Sequence, residues 1–252
     1  IDPWETLNPA RVWELAIFVC AISFIGYIGI RIFGERRGIL IAALAGGLVS
    51  STAATLNFAR LAKIHASDRA VMTGAIALAG AVMCVRILII VGIFNFALVI
   101  ALLPIMLAAT LVQAVIGLLL VSNGLKKPHD DLIWKNPFDV GSALRFSILI
   151  AIILMISTLV ARHYGSEALM SVSAFAGIAD VDAITLSLAR MQEPLIDMNV
   201  AADGILIAAL TNTVMKAGLA ALAGGTETGW RVSAVNLAAL LTAGATYLLI
   251  GA

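Results

Sequence analysis

The chain has 252 residues, of which 62% are hydrophobic and only 12% are charged. Its mean hydropathy is +1.05. A soluble domain with so few charged side chains would lack a polar surface, so the composition indicates a polytopic helical membrane protein. The net charge of +1 gives no reason to expect a nucleic-acid partner, and two cysteines do not make a disulfide framework.

Eight apolar stretches are long enough to cross the hydrocarbon core of a bilayer, which takes about 20 residues as a helix. The predicted helices cover 11–33, 38–63, 70–94, 96–122, 141–163, 166–191, 200–224 and 231–251. Polar joints such as Glu35-Arg36-Arg37 separate them, and the weakest joint predicts a tight turn at Phe94-Asn95-Phe96. A charged connecting loop at 126–139 divides a first membrane repeat, 1–125, from a second, 140–252.

Lysine and arginine residues near the predicted helix ends indicate the orientation. The joints between the predicted helices are numbered here in chain order. Lysine and arginine residues are more numerous at the N-terminus and the even-numbered joints than at the odd-numbered joints. Cytoplasmic loops carry an excess of these residues in membrane proteins, so both termini are expected in the cytoplasm.

Two segments of the chain nearly copy each other in register. They are Gly47-Leu-Val-Ser-Ser-Thr-Ala-Ala-Thr-Leu-Asn-Phe-Ala-Arg60 and Gly177-Ile-Ala-Asp-Val-Asp-Ala-Ile-Thr-Leu-Ser-Leu-Ala-Arg190. The same offset of 130 positions relates Arg86 to Lys216, which predicts two four-helix repeats. Segment 38–63 would be about 39 Å long as a helix, enough for a full crossing. Parallel repeats are therefore favoured over the inverted repeats that re-entrant hairpins would produce.

The two copies differ in charge, because Asp180 and Asp182 stand where the first copy has Ser50 and Thr52. A carboxylate this deep in a membrane segment costs about 2.5–3.5 kcal/mol, so it usually faces a bundle interior or a water-filled cavity. We predict a backbone break at Gly177, with Asp180 capping a second half-helix and Ser50 doing the same in the first copy. The alternative is that these residues are structural caps and bind no ligand.

Two carboxylates at a helix break suit a hard cation or a proton, although they do not identify a metal. The candidate ion-binding residues are Asp180, Asp182, Ser50, Ser51, Thr52, Thr185 and Asn212. Arg86 and Lys216 lie deep in the third helix of each repeat and are candidates for gating or charge pairing. They could neutralise the carboxylates, or they could face a cavity and attract an anion. No cofactor motif and no nucleophile–base pair is recognisable, so we expect neither a cofactor nor an enzyme.

Several of these stretches resemble one bacterial group. They are Leu7-Asn8-Pro9, Gly46-Gly47-Leu-Val-Ser-Ser-Thr-Ala, Trp134-Lys-Asn-Pro-Phe138, the second copy of the motif, and the run from Asn212 to Gly218. Together they are similar to the C-terminal membrane domain of unknown function of MgtC/SapB-family proteins. The resemblance covers essentially the whole chain. It implies a multi-pass protein of the bacterial inner membrane, preceded in the full-length chain by an MgtC-like membrane domain, and it implies a link to magnesium that belongs mainly to that preceding domain.

Two functions are compatible with these features. The first is a transporter or channel-like protein for a small ion or polar solute, with its site between the two repeats and with divalent cations and protons as candidate ions. The second is a non-transporting scaffold or regulator that binds another membrane protein. The expected partners are the lipid bilayer, a small ion or solute and another copy of the chain.

Overall fold

The computed structural model describes residues 9–123, 140–191 and 196–250, and almost all of them are helical. The helices are α1 Pro9–Ile64, α2 Arg69–Phe94, α3 Phe96–Ser122, α4 Val140–Ala179, α5 Val181–Arg190, α6 Met198–Gly224 and α7 Thr226–Ile250. Among the described residues, six helices are long and apolar enough to cross a membrane. The prediction of an all-α chain with several helices long and apolar enough to span a membrane is thus confirmed, whereas the count of eight and the arrangement in two four-helix repeats stay predictions.

Asparagine and glycine residues end the helices where the sequence predicts that they should. Asn95 separates α2 from α3, and its Oδ1 accepts a hydrogen bond from the Leu98 N–H at 3.2 Å. Within α4, Gly165 has a φ of 76° and a ψ of −169°, which divides the helix between the predicted fifth and sixth segments. Gly225 separates α6 from α7 with a φ of 86°. Glycine adopts these positive φ values without the Cβ clash that other residues suffer.

Two predicted interruptions of α1 are wrong. The helix continues from Pro9 to Ile64 through the charged joint at Glu35-Arg36-Arg37. Glutamate and arginine are good helix formers, so charge alone does not end a helix. The break predicted at Ser50 is also absent, since α1 continues through Gly47 and Ser50, and Gly47 instead allows α1 to pack closely on α2. A Cβ on Gly47 would lie 2.9 Å from the Cα of Ala79 on α2.

The predicted crossing helix at 166–191 is wrong in a more consequential way, because the chain reverses at Asp180. The break predicted at Gly177 is displaced too, since α4 continues to Ala179 and the extended residue is Asp180. A Cβ on Gly204 of α6 would lie 2.9 Å from Ser173 Oγ before the reversal and 2.7 Å from Leu188 Cδ1 after it. A continuous helix would separate residues 173 and 188 by about 22 Å, so both could not contact one residue. The segments Ala168–Ala179 and Val181–Arg190 therefore form an antiparallel helical hairpin, which we call the α4–α5 hairpin.

The α4–α5 hairpin ends at about the middle of α6. A Cβ on Gly177, three residues before the reversal, would lie 2.6 Å from the Cα of Ala208. Ala208 is about 15 Å from the start of α6, whose 27 residues extend about 40 Å. The arms of the hairpin are only about 18 Å and 15 Å long, too short to cross the hydrocarbon core.

The described residues form two compact units. The first falls within Ile1–Ala21, Ile87–Leu103 and Phe138–Asn212, and it contains the α4–α5 hairpin. The second falls within Ile22–Arg86, Pro104–Pro137 and Thr213–Ala252. Small residues on α1 and α2 of the second unit are fully buried, which allows these helices to pack closely. The predicted connecting loop at 126–139 lies outside the described residues, and the division into two sequence repeats stays a prediction.

Candidate functional site

Asp180 forms the tip of the α4–α5 hairpin and caps α5. Its backbone is extended, with a φ of −161° and a ψ of 123°. Its Oδ1 accepts hydrogen bonds from the N–H groups of Asp182 at 2.7 Å and Ala183 at 3.1 Å. The first N–H groups of a helix have no partner within the helix, so this carboxylate satisfies two of them. The predicted cap at Asp180 is confirmed.

Asn212 attaches the tip of the hairpin to α6. Its Nδ2 donates a hydrogen bond to the carbonyl oxygen of Gly177 at 2.8 Å. This carbonyl belongs to the last turn of α4, where carbonyl groups lack the helical donors that would normally follow them. The contact is close, since a Cβ on Gly177 would lie 2.4 Å from the carbonyl oxygen of Ala208. Gly177 and Asn212 together therefore determine how the tip meets α6.

The α5 helix carries polar side chains although every residue from Val181 to Ala189 is buried. Asp182 is only 2% exposed, and Thr185 is fully buried. Residues three apart share a helix face, so the Asp182 carboxylate and the Thr185 hydroxyl point to the same side of α5. Ser187 is also buried, but it is five residues from Asp182 and lies on another face.

Three oxygen atoms in this region have no hydrogen-bond partner within the described part of the chain. They are Thr185 Oγ1, Ser187 Oγ and Asn212 Oδ1. A buried polar atom without a partner typically costs about 1–3 kcal/mol, and native proteins retain few of them. Because the Nδ2 atom of Asn212 is held at Gly177, its unpartnered Oδ1 also lies at the tip of the hairpin. Asp182, Thr185 and Asn212 are among the candidate ion-binding residues predicted from the sequence, whereas Ser187 is not among them.

The first copy of the motif has a different structure. Ser50, Ser51 and Thr52 lie within the unbroken α1 of the second compact unit. Ser50 Oγ still accepts a hydrogen bond from the Ala53 N–H at 3.2 Å, and the Thr55 hydroxyl donates to the Ser51 carbonyl at 2.8 Å. Both are local bonds that serine and threonine commonly make along a membrane helix. Their predicted role in ion binding stays a prediction.

Arg86 and Lys216 are both deeply buried in the second compact unit, at 5% and 3% exposure. The Nη1 of Arg86 donates to the carbonyl oxygen of Leu48 at 2.9 Å, one residue after the glycine of the first motif copy. The Nζ of Lys216 lies 2.8 Å from the Sδ of Met83. Buried cations in membrane segments are expensive and commonly functional. Their predicted pairing with Asp180 or Asp182 stays a prediction.

The chemistry of the hairpin tip suits a hard cation or a proton better than a transition metal. Carboxylate, hydroxyl, amide and carbonyl oxygens are ligands for hard cations, whereas zinc prefers sulfur and imidazole nitrogen. Within the ranges that the structure describes, no three histidine, cysteine, aspartate or glutamate side chains are grouped so that they could hold a metal ion. The oxygen donors at the tip come mainly from neutral groups.

Comparisons with known proteins find a relative and a family model, and neither description states a function. A relative in Aquifex aeolicus (strain VF5), described as an uncharacterized protein, is 35% identical over 191 residues. That match covers 74% of this chain and 82% of the relative. No solved structure matches the chain. The family model described as Domain of unknown function (DUF4010) matches residues 17–224, so the chain belongs to the DUF4010 family.

Proposed function

We propose that the chain is an integral membrane transporter or channel-like protein for a small ion or polar solute. The observation that carries this proposal is the buried tip of the α4–α5 hairpin. There the Asp182 carboxylate shares a helix face with the Thr185 hydroxyl, and neither that hydroxyl nor Asn212 Oδ1 has a hydrogen-bond partner among the described residues. A purely structural hairpin would need the Asp180 cap but would gain nothing from these further buried oxygens. A ligand that coordinates them would offset the cost of burying them.

The position of the tip supports the same function. The α4–α5 hairpin reaches about the middle of α6, and substrate sites of secondary transporters commonly lie near the bilayer midplane at interrupted helices. Irregular backbone at that depth is tolerated where it is buried in protein or lines a cavity. The hairpin has this character, since α5 is buried from Val181 to Ala189.

A membrane topology follows from counting crossings. Arg69 at the start of α2 and Glu227 at the start of α7 form an ion pair with an N–O distance of 2.5 Å, so these two helix starts share one end of the second unit. Between these two residues the chain must cross the membrane an even number of times. This holds if α2, α3, the first part of α4, and α6 each cross the membrane and the α4–α5 hairpin does not. The end of α7 then lies on the opposite side of the membrane from its start, which differs from the expectation that both termini are cytoplasmic.

The distribution of basic residues supports an orientation for this topology. Arg60, Lys63, Arg69 and Arg231 belong to the end that carries the Arg69–Glu227 pair. By the positive-inside rule this end faces the cytoplasm, in the inner membrane of a bacterium. The hairpin also removes the argument for parallel repeats, which required four crossings in each half. The duplication itself retains support, because the helix breaks at Asn95 and Gly225 are 130 positions apart.

Flux through liposomes tests the proposal. We expect the reconstituted protein to carry at least one member of a panel containing H⁺, Na⁺, K⁺ and Mg²⁺, with Mg²⁺ included because of the MgtC/SapB resemblance. Asp182→Asn should abolish this flux, because the amide removes the negative charge while keeping the size of the side chain. Asp203→Asn is the matched control, since the same change is made at a partly exposed position of α6.

The result has two clear alternatives. Equal flux through Asp182→Asn and the wild-type protein, with unchanged helicity and elution, would reject the hairpin tip as the site. Absence of flux for every ion, together with recovery of a stoichiometric membrane protein in pull-downs, would favour the scaffold or regulator function instead.

A further inference from the structure

A basic cleft lies at one end of the second compact unit, well separated in sequence from the residues of the hairpin tip. Its volume is about 540 Å³, and it is lined by Arg60, Lys63, Ile64, Leu222 and Ala223. The ends of α1 and α6 form its walls, and they approach closely where a Cβ on Gly224 would lie 2.8 Å from the Ala59 carbonyl oxygen. Both helices end here as candidate membrane spans, Ile39–Ile64 and Met198–Gly224. If they cross a membrane, the cleft lies at the level of the lipid headgroups.

The cleft carries two positive charges that no carboxylate in the described part of the chain neutralises. Arg60 and Lys63 are exposed and lie one turn apart on α1. Neither has a carboxylate partner among the residues that the structure describes. Two other basic residues at this end, Arg69 and Arg231, both contact Glu227, at 2.5 Å and 2.9 Å. The attraction for an anion is therefore concentrated at Arg60 and Lys63.

Arg190, which holds the place of Arg60 in the second copy of the motif, makes a different contact. Arg190 is only partly exposed, and its guanidinium carbon lies 5.9 Å from the centre of the Phe94 ring. That geometry is a cation–π contact, which holds the side chain against its own unit. Arg60 makes no such contact within the described ranges and lines an open cleft instead. The cleft therefore belongs to the first copy of the motif. An arginine at the end of the motif does not by itself produce such a cleft, because Arg190 holds the same place in the second copy.

The remaining walls of the cleft are apolar and open to the surroundings. Ile64 is 71% exposed and Leu222 is 83% exposed. A site for a soluble anion alone would not need two large aliphatic side chains beside the charges. A phospholipid presents a phosphate next to acyl chains, which matches paired cations next to an aliphatic wall. We propose that this cleft binds the phosphate headgroup of an anionic phospholipid, with an acyl chain against Leu222.

Binding of fluorescent phosphatidylglycerol to the full chain in neutral detergent tests this proposal. The double variant Arg60→Gln/Lys63→Gln should bind about 30-fold more weakly than the wild-type protein, since each basic residue that faces the anionic headgroup contributes about fivefold. The matched control is Arg162→Gln/Arg231→Gln, which removes two exposed arginines outside the cleft and should bind nearly as tightly as wild type. Fluorescent phosphatidylcholine should bind weakly to all three proteins.

Three outcomes would overturn the proposal. The first is equal phosphatidylglycerol binding by the cleft variant and the control. The second is complete competition by inorganic phosphate at low millimolar concentration, which would assign the cleft to a free anion. The third is a change in oligomeric state of the cleft variant with unchanged lipid binding, which would make the cleft a contact between copies. Because none of these measurements uses flux, failure here is separate from failure of the proposed transport function.

Discussion

Replacing Gly177 with leucine is expected to lower the stability of the protein by about 3 kcal/mol, at the upper end of typical overpacking effects. The reason is steric, because even a Cβ at this position would lie 2.4 Å from the Ala208 carbonyl oxygen and 2.5 Å from Thr211 Oγ1. The obstacles include the backbone of α6, which cannot move aside as the end of a flexible side chain could. Thermal unfolding in detergent, followed by helicity, measures the loss.

The control for this substitution is Gly218→Leu on the same helix that Gly177 contacts. Among the described residues, no atom of a neighbouring segment lies within 4 Å of the position of a Cβ on Gly218, so leucine there has open space. We expect its unfolding temperature to stay near that of the wild-type protein. Equal unfolding temperatures for the Gly177 and Gly218 variants would contradict the close packing of the hairpin tip on α6.

Replacing Asp180 with alanine is expected to cost about 1–2 kcal/mol, because it removes the cap of α5. The N–H groups of Asp182 and Ala183 would lose their acceptor, and both residues are buried. Asp180→Asn should retain most of the stability, since the asparagine side-chain oxygen is an equally good cap. The unfolding temperatures of the two variants in detergent separate the cap from the charge.

This pair of variants also separates structure from function at Asp180. If Asp180→Asn is as stable as wild type and still conducts, Asp180 is a cap only and Asp182 carries the required charge. A loss of stability in Asp180→Asn as large as in Asp180→Ala would contradict the expectation that an uncharged side-chain oxygen is enough to cap α5. It would show that the carboxylate charge itself stabilises the tip.

The helix boundaries could be predicted from the sequence because local chemistry determines them. Asn95 caps the start of α3, and Gly165 and Gly225 end helices through positive φ. Neither effect depends on distant contacts. The cap at Asp180 follows from the same kind of reasoning. These residues show that the helical class and most of the boundaries are encoded locally.

The reversal of the chain at Asp180 could not be predicted in this way. An apolar segment with a polar break in its middle fits a broken crossing helix and a hairpin equally well, because the periodicity of each arm is the same. The direction of the second arm depends on tertiary packing, in which Gly204 of α6 contacts both Ser173 and Leu188. Nothing in the local sequence identifies this contact.

The similarity of the two motif copies was also misleading for structure. Serine and aspartate are both good caps, so Ser50 and Asp180 appear equivalent. In the structure the Asp180 side chain accepts hydrogen bonds from two backbone N–H groups at the start of α5. The Ser50 side chain accepts one such hydrogen bond inside a continuous helix. Gly47 and Gly177 share a simpler role, since each allows its segment to pack closely on the following long helix.

The most direct test of the α4–α5 hairpin and of the site at its tip is to determine on which side of the membrane the two ends of the hairpin lie. Single cysteines would replace Tyr164, Asp197 and Trp230, which are all exposed, in a chain from which Cys20 and Cys84 have been removed. A membrane-impermeant maleimide should label positions 164 and 197 from the same side and position 230 from the other. Labelling of positions 164 and 197 from opposite sides would show that the segment crosses the membrane, and it would contradict the hairpin and the site at its tip.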